Sequence, residues 1–268
     1  MFNSNLDNCL NNCRIVLVNT THPGNVGSTA RAMKTMGVSE LYLVSSDKNI
    51  IDDHAVARAS GAVDILEKAC LVSTLQEAIV DCHYILGTST RERTLPIPIL
   101  TPRAAAKIAI ADHAVSNNKI AIVFGQERMG LTNTELAICQ SQIIIPANAL
   151  YSSLNLASAV QLICYELRLA ALDILDALEA TDFLNNKLNS NNKIKSELAT
   201  ANQMELFYEH LERVMLKTGF LDPKQPKLLM RRLRRVYNRA NLCQQELNIL
   251  RGILAASERF TNDKDVVN

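Results

Sequence analysis

The chain has 268 residues, 48% hydrophobic and 21% charged, and its 28 Lys/Arg and 27 Asp/Glu leave a formal net charge of only +1. That is the profile of an ordinary globular protein with room for one large domain, or a medium domain with a small companion. No run of about 18 uncharged apolar residues is present and the opening MFNSNLDNCLNNC is polar, which argues against a spanning helix or a secretory leader and for a cytoplasmic protein.

From residue 14 the chain alternates between short apolar runs and amphipathic stretches. RIVLVN (14–19), LYLVS (41–45), YILGTS (84–89), IAIVFG (120–125) and QIIIPA (142–147) lack two-residue alternation, as expected of strands covered on both faces of a parallel sheet. Helices are expected over Val26–Met36, Thr74–Asp81, Pro102–Ala114 and Asn133–Cys139, then as one long serine-capped helix in SSLNLASAVQLICYELRLAALDILDALEA. The βαβα rhythm predicts an α/β domain over residues 1–180, a parallel sheet with helices on both faces. The seven cysteines form no C-x-x-C pair, and Cys70, Cys82, Cys139 and Cys164 lie in apolar segments. They are expected to be reduced core thiols, with no disulfide and no metal site.

Residues 181–200 are asparagine-rich and aperiodic, a linker. Residues 201–260 return to helical periodicity, broken at GFLDPKQP, and 261–268 form a tail. Residues 1–200 carry 16 Lys/Arg and 19 Asp/Glu, whereas 201–260 carry 11 and 6. A basic helical domain on a mildly acidic one points to a nucleic-acid partner. Its run KLLMRRLRRVYNRANL has six basic and no acidic residues, with Leu229, Leu233, Val236, Tyr237 and Ala240 on one stripe. Arg231, Arg232, Arg234, Arg235 and Arg239 are its candidates for phosphate contact, against the alternative of a solvated helix face.

The first βα turn, THPGNVGSTARAMKTMG (21–37), has G-x-x-G spacing and fits neither a dinucleotide fingerprint nor a P-loop. Asn25 is a candidate cap for a helix beginning near Val26, and Val26, Ala30 and Met33 its buried stripe, with Arg31 off it. A tight structural turn and an anion or ribose-phosphate site both fit that spacing. His22 is placed to approach RNA. Three later strands end in GTSTRERTLP, GQERMGL and PANALYSSLNLA, and strand ends of a parallel sheet are where ligands bind. Ser152 and Ser153 fit either a ligand or a helix cap, and Glu127 either a catalytic carboxylate or one that satisfies loop N–H groups.

THPGNVGSTARAMKTMG, IVFGQERMGL and IPANALYSSLNLASAVQ resemble the three ordered motifs of the SpoU branch of the SPOUT RNA methyltransferases, and GTSTRERTLP, LFYEHLERVMLKTGFLDP and QELNILRGILA extend the likeness over nearly the whole chain. It is greatest to the TrmJ-type enzymes that methylate the 2′-oxygen of cytidine or uridine in the tRNA anticodon loop. The resemblance implies a trefoil knot, a homodimer, and target position 32. It implies S-adenosylmethionine bound by Thr88, Ser89, Thr90, Gly125, Ile145, Ser152, Ser153 and Leu154. It places Asn25, Arg31 and Asn155 at the reaction centre, with the amides orienting the ribose or the arginine. A guanidinium stays protonated in proteins, so phosphate grip and charge stabilisation suit Arg31 better than proton abstraction. A non-catalytic RNA-binding protein is the rival reading, and ribosomal RNA the rival substrate.

Overall fold

The computed structural model describes residues 2–89, 97–113, 117–185, 198–223 and 228–264. It divides into two compact units, Met1–Ile194 and Lys195–Asn268.

The first unit is built on a seven-stranded sheet in the order β3-β2-β1-β6-β4-β7-β5, with every pairing parallel. The strands are β1 (Cys13–Val18), β2 (Glu40–Val44), β3 (Cys70–Val72), β4 (Tyr84–Thr88), β5 (Ile99–Leu100), β6 (Ile120–Phe124) and β7 (Ser141–Ile143). Its helices are α1 (Phe2–Asn11), α2 (Pro23–Met36), α3 (Asp53–Ala59), α4 (Val63–Glu67), α5 (Leu75–Ile79), α6 (Pro102–Ile108), α7 (Asn133–Leu136) and α8 (Leu156–Asn185). The five expected strands form within a residue of their expected starts, and β7 stops early, ahead of Pro146. Short β3 and β5, and helices α1, α3 and α4, were not among the expected elements.

Both sheet faces are covered, which is why β1 and β6 are buried at every position. Ile15 and Leu17 of β1 join Ile120, Ile122 and Phe124 of β6 in one core with Val26, Ala30 and Met33 of α2 and Val160, Ile163 and Leu167 of α8. On the opposite face a Cβ built on Gly87 would come within 2.8 Å of Cys139 and Leu136, so that strand position has room only for glycine beneath α7. All described cysteines are free thiols. Burial pushes Cys82, Cys139 and Cys164 up to about 12, as suits inert core groups. Cys70 departs from expectation: it is exposed, because β3 is an edge strand.

An ion cluster closes the edge of the sheet where β1, β2, β4 and β6 begin. Fully buried Arg14 donates to both Asp81 oxygens (2.6 and 3.0 Å), to Glu40 Oε1 (2.9 Å) and to the Ala78 carbonyl (2.6 Å). Its guanidinium lies 3.9 Å from the centre of the Tyr42 ring. Lys119 Nζ joins Glu40 at 3.2 Å and Asp81 at 3.0 Å.

The second unit contains α9 (Ala201–Lys217), α10 (Leu229–Ala240) and α11 (Gln244–Lys264) around Phe207, Tyr208, Leu211 and Leu247. α9 opens with a capping box between Thr200 and Gln203. On α10, Leu229, Leu233 and Tyr237 pack on this core, whereas Val236 (51% exposed) and Ala240 face outward and do not extend the stripe. Helix α8 continues to Asn185, five residues into the span expected as linker; 186–197 lie outside the described residues.

Burial opposes the charged form of Asp81, but hydrogen bonds from Arg14 and Lys119 outweigh it and hold the carboxyl well below the usual carboxylate range. A depressed folded-state pKa gives stability that is complete above the unfolded value of about 3.9 and is lost as pH falls through the folded one. Asp81→Asn should therefore lower the unfolding free energy from urea denaturation at pH 7 by about 1–3 kcal/mol, and with it the midpoint, once the partial exposure of Asp81 is allowed for. It should also flatten the loss of stability below pH 4, and an unchanged midpoint at both pH values would show the cluster to be energetically neutral.

Candidate active site

In a parallel sheet all strands end along one edge, and here the order reverses at β1, whose neighbours β2 and β6 come from different parts of the chain. The segments leaving β4, β6 and β7 and the approach to α8 enclose a cleft of about 340 Å³ on that edge. Its walls include Thr88 at the end of β4 and Ser89 after it, Gly125 after β6, Ile145 after β7, and Ser152, Ser153 and Leu154 before α8. These are seven of the eight residues expected to bind a cofactor; the eighth, Thr90, lies outside the described residues. Glu127 and Arg128 are the charged side chains among the described lining residues.

Short backbone links set the walls. Thr88 Oγ1 donates to the Val123 carbonyl (3.1 Å), and Ser89 N to Ile143 O (3.2 Å). The 125–130 loop folds back on itself through Gly130 N to Gln126 O at 2.7 Å, with Gly130 at φ 65°. A Cβ on Gly125 would lie 2.2 Å from the backbone of Gly130 and Leu131. Gly125 is thus demanded by the loop's own fold rather than by the volume of a ligand.

The β1–α2 turn meets this cleft through a polar relay. Asn19 reverses the chain at φ 52°, a conformation asparagine tolerates. Helix α2 begins at Pro23, three residues before the expected start, and its cap is His22, whose Nδ1 accepts from Gly24 N at 3.1 Å. With Nδ1 accepting, the ring proton of neutral His22 sits on Nε2. Relieved of capping, Asn25 donates through Nδ2 to Glu127 Oε1 at 3.0 Å and accepts at Oδ1 from Asn155 Nδ2, also at 3.0 Å. Asn155 in turn caps α8, its Oδ1 accepting from Ala157 N at 3.0 Å and Ser158 N at 3.4 Å, so the cap is Asn155 and not the expected serines. Glu127 Oε2 takes longer bonds from Thr21 N (3.3 Å) and Oγ1 (3.4 Å). A carboxylate can only accept, so each amide in the relay has one permitted orientation, and each keeps a spare N–H.

Arg31 is not part of this group. It is exposed on α2, six residues beyond Asn25, or about 9 Å along the axis and about 120° around it, with no side-chain partner among the described residues. In the second unit Arg231, Arg232 and Arg239 are exposed and Arg235 is half-buried. Arg234 differs from them. It grips both oxygens of Glu205 at 2.6 Å and lies 4.4 Å over the Tyr208 ring, so its charge is neutralised within the fold. No cluster of three potential metal ligands occurs among the described residues, nor any described helix long and apolar enough to cross a membrane.

Residues 12–165 match the model of the SpoU rRNA Methylase family. The chain belongs to that family. Residues 202–265 match a second model, that of the tRNA methyltransferase TrmJ C-terminal domain. The tRNA (cytidine/uridine/adenosine-2′-O-)-methyltransferase TrmJ of Pseudomonas aeruginosa is 48% identical over 250 residues, 93% of this chain and 95% of that one. The tRNA (cytidine/uridine-2′-O-)-methyltransferase TrmJ of Cronobacter sakazakii is 46% identical over 95% of this chain and 99% of its own. The crystal structure of TrmJ from Z. mobilis ZM4 superposes with a TM-score of 0.74 at 29% identity, covering 91% of this chain and 98% of that one. Within this SpoU member the glycine-flanked loop and the two asparagines of the relay are the parts of the motifs the structure brings together.

Glu127, weighed in the sequence mainly as a loop carboxylate, is the residue that joins the turn to the cleft. Asn155→Asp keeps the cap but sets an acceptor against Asn25 Oδ1. It should cost about 1–3 kcal/mol in urea unfolding although Asp and Asn cap equally well, and a wild-type midpoint would show that the relay orientation is wrong.

Proposed function

We propose that this chain transfers the methyl group of S-adenosylmethionine to the ribose 2′-hydroxyl of a cytidine or uridine at position 32 of a tRNA anticodon loop, working as a homodimer in the cytoplasm. The observation that carries the reading is the meeting of three strand-end loops in one cleft, bordered by the Asn25–Glu127–Asn155 relay. The fit to the cofactor is sound. Phe124, Ile143, Ile145, Leu154 and Leu156 offer apolar wall to an adenine ring, and Thr88, Ser89, Gln126, Ser152 and Ser153 offer polar groups to its ribose and amino-acid ends. The knot implied by the motifs would tie the segment through these loops. Ribosomal RNA, which the SpoU rRNA Methylase family carries in its name, is the second reading; the TrmJ-like C-terminal domain favours tRNA.

S-adenosylmethionine supplies an activated methyl group on a good leaving group, so the protein's task is alignment and charge placement. The spare N–H groups of Asn25 and Asn155 are suited to hold the ribose oxygens beside the cleft, because Glu127 and the α8 N-terminus fix both amides. Arg31, always cationic, is suited to grip a neighbouring phosphate and stabilise charge on the attacking oxygen. In the second unit, Arg231, Arg232, Arg235 and Arg239 fall within about 100° of α10 and give tRNA phosphates a basic stripe, with Arg234 holding the helix to α9.

Calorimetry on the full chain should show S-adenosylmethionine binding to the wild type, and Ala159→Phe, which pushes a ring into the cleft from α8, should abolish it. Arg31→Ala should bind the cofactor normally yet lose roughly a hundred- to thousand-fold in methyl transfer to tRNA, with wild-type product mapped as a 2′-O-methylated pyrimidine at position 32. Cofactor binding by Ala159→Phe, or near-normal turnover by Arg31→Ala, would contradict the assignment.

A further inference from the structure

The two glycines of the first turn have a packing reason. Neither Gly24 nor Gly27 has a positive φ; the glycines that do are Gly37, Gly130 and Gly219. A Cβ on Gly27 would lie 2.0 Å from the Ala55 carbonyl and 2.9 Å from Arg58 Cβ, and a Cβ on Gly24 would lie 2.6 Å from His54 Cε1. Helix α3 is thus pressed backbone-to-backbone on α2 beside the turn that holds Asn25.

This close crossing sets a row of basic side chains leading away from the turn. His22 and His54 have ring centres 5.4 Å apart in an edge-on arrangement. Arg58 stands against Gly27, and Arg31 follows Gly27 by one turn on the same helix face, about 6 Å further along. His22, His54, Arg31 and Arg58 are all exposed, and neither arginine has a side-chain partner among the described residues. Their neighbours differ. Lys34 is tied to Asp64 (2.7 Å) and the Gly61 carbonyl (2.9 Å), and Asp52 is occupied in capping α3 through Ala55 N (2.9 Å).

We infer that α3 contributes to the RNA face of the catalytic unit, His54 and Arg58 taking backbone phosphates of the strand that leads to the target ribose, beside Arg31. The inference rests on the RNA substrate proposed above. Two guanidiniums without side-chain partners among the described residues, on adjoining helices, are available to the phosphates of a polyanionic strand laid along them. The row starts at the turn whose Asn25 reaches the cleft, so a strand on it is delivered to the reaction centre rather than to a remote surface. The sequence concealed α3's part because Arg58 and His54 belong to no motif and α3 itself was not expected.

Filter binding of the full chain to an anticodon stem-loop RNA across a salt series tests this. Arg58→Gln should raise Kd about tenfold and reduce the log–log salt slope by roughly 0.7 to 0.9, whereas Arg58→Lys should keep the wild-type slope. His54→Phe, which keeps the ring against Gly24 but removes its nitrogens, should weaken binding at pH 8 without changing the slope. S-adenosylmethionine affinity should be unaltered in all three, which reports intact folding. Wild-type Kd and slope in Arg58→Gln, in a protein whose wild type methylates tRNA, would overturn the role of α3 alone. A wild type that neither binds nor methylates tRNA would overturn the underlying function as well.

Discussion

The carboxylate of Glu127 is the joint on which the candidate active site depends. It sits in the loop after β6, lines the cleft, and accepts from Thr21 and Asn25 of the turn after β1. These residues are more than a hundred positions apart, yet β1 and β6 are hydrogen-bonded neighbours in the sheet. Because a carboxylate only accepts, it dictates which way Asn25 turns, and Asn25 dictates Asn155. A reaction that needs a ribose hydroxyl in line with a methyl group requires that the groups holding the ribose and the loops holding the cofactor be mutually fixed. In the proposed reaction the relay would do this without a charge pair, since it joins two amides to one carboxylate.

The two edges of the sheet use polarity differently. Where β1, β2, β4 and β6 begin, charges are paired: Arg14 and Lys119 each bridge Glu40 and Asp81. Where β1, β4, β6 and β7 end, glycines, hydroxyls and amides predominate, with cations left unpaired on α2 and α3. Charges are paired at one edge, and the other is the one proposed above to meet RNA. The second unit repeats the division on one helix, where Arg234 is bound internally and Arg231, Arg232, Arg235 and Arg239 are not.

Much of this was legible in the residues. Continuous apolar runs identified five of the seven strands because strands covered on both faces cannot alternate, and the three loop motifs named seven described residues that line one cleft. What escaped notice was short or locally ambiguous. β5 is two residues in a proline-rich stretch, β3 is three residues on an exposed edge, and α3 and α4 are interrupted by Ser60 at φ 53° and Gly61. The cap of α2 was misassigned because His22 accepts through a ring nitrogen while Asn25, the commoner capping type, is drawn off by Glu127. The role of Gly24 and Gly27 could not be read from spacing, since it depends on α3 approaching from outside the motif. Nor could Arg234 be separated from its neighbours without knowing that Glu205 lies across from it.

The most direct measurement is a double-mutant cycle on kcat/KM for ribose methylation, using Asn25→Ala, Glu127→Gln and the pair. If one carboxylate positions the asparagine that positions the ribose, the double variant should be little worse than the poorer single one, with a coupling energy of about 1–3 kcal/mol. Additive losses, with coupling below about 0.5 kcal/mol, would contradict the account, because the two side chains would then be acting independently.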